Sequence, residues 1–151
     1  KYLKRLSSIK QATKSDVARA YNNIGIVYLN EGDYHTALEY FQWALHRWKE
    51  TYGIQNHAVA SALNNIGLVY DEIGQYNPAM ENFKKSLNIR LILFGQLHLQ
   101  VAASYNNIGN IFQILILKQS CMNPLFIKLM LLKKGTIRIK TSKPPHQKFT
   151  L

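Results

Sequence analysis

Apolar side chains stand at Val17, Ala20, Tyr21, Ile24, Val27 and Tyr28, three and four residues apart. That spacing is the helical period and predicts a helix over roughly 16–31. Gly32-Asp33 follows: glycine suits a left-handed helix end, and aspartate suits the cap of the next helix. A second helix is predicted from Tyr34 to Tyr52, with Ala37, Leu38, Phe41, Ala44, Leu45 and Trp48 on one face. Gly53 closes the pair.

The pattern then repeats. Asn22-Asn23-Ile24-Gly25 recurs as Asn64-Asn65-Ile66-Gly67 and again as Asn106-Asn107-Ile108-Gly109, 42 residues apart each time. In the same register Val17-Ala18 matches Val59-Ala60 and Val101-Ala102, and Tyr28 matches Tyr70 and Phe112. Gly32, Tyr34, Ala37 and Phe41 match Gly74, Tyr76, Ala79 and Phe83, and Tyr52-Gly53 matches Phe94-Gly95. Gly25 and Gly67 in first helices, and Ala37 and Ala79 in second helices, mark places of close helix approach. Pro78 falls in a first turn, where its missing N–H costs little.

One helix pair cannot bury both of its faces, so pairs stack into a solenoid. The expected fold is all-α. Residues 16–57 and 58–99 form two repeats, and 100–115 supplies the first helix of a third. Residues 1–14 read as the end of a preceding repeat helix, and the chain as a fragment of something longer or as a processed one. Two and a half repeats leave an apolar face open, which predicts marginal stability or association.

The run Tyr21, Ile24-Gly25, Tyr28, Gly32-Asp33-Tyr34, Ala37, Phe41 and Ala44 resembles the tetratricopeptide repeat. Its second copy is Leu63, Ile66-Gly67, Tyr70, Gly74-Gln75-Tyr76, Ala79, Phe83 and Ser86. The usual unit is about 34 residues. The longer unit here, with its Asn-Asn pair and closing Tyr-Gly, is similar to the kinesin light chain type.

The resemblance implies a non-catalytic scaffold or adaptor that binds a protein or peptide in a concave groove lined by first helices, in a cytoplasmic setting and with no cofactor. With Tyr21, Ile24, Gly25 and Tyr28 inward, Arg19, Asn22, Asn23, Ile26 and Asn30 lie nearer that groove. Ser61, Asn64, Asn65, Leu68 and Glu72 follow in the second unit, and Ala103, Asn106, Asn107 and Asn110 in the third. An amide both donates and accepts hydrogen bonds, so a ladder of them suits an extended peptide backbone. Equally, the asparagines can bond neighbouring helices and hold the stack together. An alternative is the accessory repeat region of a larger multidomain enzyme or signalling protein.

Other chemistry finds little support. Cys121 is the single cysteine, which excludes a disulfide framework and the usual multi-cysteine zinc sites. His35, His46, His57, His98 and His146 lack metal-ligand spacing, and no phosphate loop, nucleophile elbow or paired-carboxylate motif is present. The aromatic residues recur at helical spacing and read as packing, with Trp43 off the buried face and partly exposed.

Charge changes the picture only at the flanks. The net charge is +11, from 19 Lys+Arg against 8 Asp+Glu. Residues 15–115 hold six basic and eight acidic side chains, whereas 116–151 hold eight basic and none acidic. Nothing in the repeats therefore calls for nucleic acid or a membrane. The tail, 116–151, departs from the repeat: Ile116, Lys118, Cys121 and Leu125 stand where Gly, Tyr, Ala and Phe are due. It reads as a capping helix with a basic end, a membrane-surface segment, or an out-of-frame reading of the third repeat, which the second frame permits.

Overall fold

The computed structural model describes residues 2–121, with side chains from Thr13 to Gln119. They form α1 (Tyr2–Glu31), α2 (Tyr34–Tyr52), α3 (His57–Glu72), α4 (Tyr76–Phe94) and α5 (Leu99–Cys121). Among the described residues there is no strand. Residues up to Ile114 make one compact unit, and a second unit begins at Leu115.

Four glycines set the turns. Gly32, Gly53, Gly74 and Gly95 have φ of 80, 79, 74 and 75°, where a side chain would be strained. Gly53 and Gly95 return their N–H groups to Lys49 and Leu91 carbonyls at 2.9 and 3.0 Å, closing α2 and α4. Side chains then open the next helices. The Asp33 carboxylate accepts the Thr36 N–H at 3.2 Å, and Asn56 Oδ1 accepts the Ala58 N–H at 2.8 Å. The bond from Thr36 holds the Asp33 carboxyl below the usual carboxylate range.

Within a pair, the helices meet where the small residues stand. A methyl group on Gly25 would sit 2.7 Å from the Phe41 ring, and one on Gly67 would sit 2.6 Å from that of Phe83. Between pairs, Ala37 and Phe41 of α2 pack with Ile66 and Val69 of α3. Further along, Ala44 and Trp48 pack with Val59, Ala60, Ala62 and Leu63. The Ser86 hydroxyl, standing where α2 has Ala44, donates to the Ala60 carbonyl at 2.7 Å.

Three expectations differ from the structure, each for a physical reason. The first helix begins at Tyr2 rather than near Asp16, so residues 2–14 join it without a turn. One period before Gly53 the chain has Gln11, which has no ease in the left-handed region, and the helix runs through. The fifth helix continues past residue 115 to Cys121, because Ile116 stands one period after Gly74. Ile24, expected inward, is 38% exposed, whereas its counterpart Ile66 is 4% exposed. Ile66 is covered by α2, and no described helix precedes α1. The tail readings for 122–151 lie outside the described residues.

Candidate functional site

The asparagine pairs join successive repeats. Asn65 Nδ2 donates to Asn22 Oδ1 at 2.9 Å, and Asn107 Nδ2 donates to Asn64 Oδ1 at 3.1 Å. The first asparagine of one repeat thus accepts from the second asparagine of the next. Both bonds are part-buried, where amide pairing offsets lost hydration. Each amide keeps further donor or acceptor capacity for another partner. The ladder ends at Asn23 and Asn106, which are exposed, as are Asn30 and Asn110.

A cavity of about 460 Å³ opens beside this ladder. Ser15, Arg19 and Asn22 of α1 form one wall, and Asn56, His57, Ala58 and Ser61 at the start of α3 form the other. Trp48 and Tyr52 of α2 complete the lining. Trp48 is buried, while Tyr52 remains 44% exposed and available to an incoming apolar group. Arg19 is exposed and pairs with Asp16 one turn earlier.

Of the residues expected in the groove, Arg19, Asn22 and Ser61 meet here. Asn23, Asn30, Asn64, Asn65, Asn106, Asn107 and Asn110 do not line this cavity. Tyr52, Asn56 and His57 were not anticipated, because attention to first helices passes over the turn between repeats. The Tyr52-Gly53 pair that closes the first unit, matched by Phe94-Gly95 in the second, was the available signal.

The next interface is built differently. Arg90 stands where α2 has Trp48 and is only 7% exposed. Its Nη1 donates to Ser104 Oγ at 2.7 Å and to the Gln100 carbonyl at 3.2 Å. Its Nε and the Gln100 Oε1 have no partner. Burial therefore lowers the Arg90 pKa, since the charged form loses hydration. Nearby, His98 Nδ1 accepts the Gln100 N–H at 3.1 Å and its ring stacks on Phe94 at 4.4 Å. Among the described residues there is no group of three metal-ligating side chains, and no helix is long and apolar enough to cross a membrane.

The chain is similar in structure to BtubC (BKLC) from P. vanneervenii, known from a crystal structure, with a TM-score of 0.64 and 21% identity. The match covers 95% of this chain and 57% of that one, so this chain spans little more than half of its neighbour's length. Among curated proteins, none matches the sequence. The sequence pattern of the tetratricopeptide repeat family matches residues 16–92. Two interlocked helix pairs in 42-residue register, with glycine seats for phenylalanine and a half-matched helix after them, fit that match: the chain belongs to the tetratricopeptide repeat family.

Proposed function

We propose that this chain is a non-catalytic protein-binding module that seats an extended peptide segment in the cavity between α1 and the α2–α3 turn. Tetratricopeptide repeats are generally protein–protein interaction modules, which supports the broad part of this reading. The cavity carries the specific part. Asn22 keeps amide capacity for a peptide backbone, Tyr52 offers an apolar surface, and Arg19 and His57 suit an acidic or polar flank. The repeats are 16–57 and 58–99, and α5 opens a third. In a longer solenoid, Asn64, Asn65, Asn106, Asn107 and Asn110 extend the same track, as in a cytoplasmic adaptor built from kinesin light chain-type repeats.

Selection of displayed peptides against the full chain, followed by titration of the winners, tests this. Tyr52→Ala should weaken binding by about tenfold, the typical loss for truncating an aromatic anchor, while the melt stays unchanged. Wild-type affinity in both Tyr52→Ala and Arg19→Ala would overturn the assignment of the cavity.

A further inference from the structure

Successive helices run antiparallel, so the turns within pairs and the turns between pairs lie on opposite edges of the stack. The near-balance of charge in the repeats hides a separation between these edges. Glu31, Asp33, Glu39, Asp71, Glu72 and Glu81 all lie within about two helical turns of Gly32 or Gly74, and no lysine or arginine does. The edge between pairs carries Lys14, Arg19, Arg47 and Lys49, all exposed. The two acids there, Asp16 and Glu50, pair with Arg19 and Arg47.

The basic edge also holds apolar side chains in solvent. In the α4–α5 turn Leu97 is fully exposed and Leu99 is 82% exposed. Ile92 and Leu93 at the end of α4 are exposed beside them. One repeat earlier the same positions hold Gln55, His57, Glu50 and Thr51, so the fold does not call for apolar residues there. The exposure does not come from the end of the stack either. The α2–α3 turn has a helix pair on each side, and its Ile54, Gln55 and His57 are exposed all the same.

Leu97 projects from a turn with no neighbour around it. A protein partner would have to offer it a shaped pocket, whereas a fluid apolar phase receives it without one. Apolar burial together with attraction of basic residues to anionic headgroups is what holds a protein on a bilayer surface. The two edges then orient the molecule, since an anionic surface attracts one and repels the other. Glu81 is the last acid in the sequence, and eleven lysines and arginines follow it, which adds to the attraction.

We propose that the edge between pairs, led by Leu97 and Leu99, docks on an anionic lipid bilayer with the acidic edge turned to solvent. The full chain should co-sediment with vesicles of phosphatidylcholine and phosphatidylserine, and stay in solution with phosphatidylcholine alone. Leu97→Asn with Leu99→Asn should weaken partition by at least about tenfold, because that apolar area no longer leaves water. Helicity should be unchanged, since both side chains stand largely clear of the fold. In a Cys121→Ser background, an environment-sensitive dye on Leu97→Cys should shift to the blue on the mixed vesicles. The same dye on Ile73→Cys, at the acidic edge, should not. No partition of the wild type, equal binding to both kinds of vesicle, or equal dye shifts at the two edges would each overturn the proposal. So would wild-type partition of the double variant, the result that the basic C-terminal residues would give on their own.

Discussion

The Phe83 ring lies so close to Gly67 that a methyl group on the glycine would stand 2.6 Å from it. Gly109 occupies the same position one repeat later and has no described atom within 4 Å of such a methyl. The same residue type is thus a packing requirement in one repeat and an unused seat in the next. Gly67→Ala should destabilise the fold by about 2 kcal/mol through overpacking. Gly109→Ala should be neutral or stabilising by up to about 1 kcal/mol, through helix propensity. Urea melts followed by circular dichroism compare the two, and equal losses would remove the distinction.

Asn22 and Asn65 should couple. A double-mutant cycle with alanine at both is expected to give about 1 kcal/mol, the net worth of one part-buried hydrogen bond. Asn23→Ala and Asn106→Ala lie at the ladder's open ends and should stay within about 0.5 kcal/mol of wild type. A zero coupling energy at Asn22 and Asn65 would deny the ladder a role in stacking.

The helix pairs were legible in the sequence because the period, the glycines and the Asn-Asn signature agree in register. Tyr34–Tyr52 was read with the bounds the helix takes. What the pattern did not show was the consequence of a missing signal. Gln11 and Ile116 replace turn glycines, so two helices run on where a boundary was expected. The site was only partly legible. Arg19 and Asn22, expected near the groove from the first-helix pattern, line the candidate cavity, but Tyr52 and His57 flank a turn whose approach to α1 depends on how one pair stacks on the next.

Arg90 should be replaceable. It is buried where the preceding repeat has Trp48, and its Nε is unsatisfied. Arg90→Met removes the desolvated charge while keeping most of the volume, and should stabilise by about 1 kcal/mol. A lower melting temperature for this variant would show that the bonds to Ser104 and Gln100 outweigh the lost hydration.

The Asp33 cap should give a pH signature. Its folded pKa is depressed by the hydrogen bond from Thr36, so its contribution is present above the unfolded value of about 3.9 and disappears as pH falls through the folded value. Asp33→Asn keeps an acceptor but no charge. Wild type should melt above this variant at neutral pH, and the gap should close in strong acid. A gap that is unchanged across that range would show that the charge contributes nothing.

The most direct test of the proposed binding cavity is chemical-shift mapping of a selected peptide on the isotope-labelled chain. The account predicts that amide signals of Ser15, Arg19, Asn22, His57 and Ser61 move together and saturably. Saturable shifts confined to α4 and α5, with those five signals still, would contradict it.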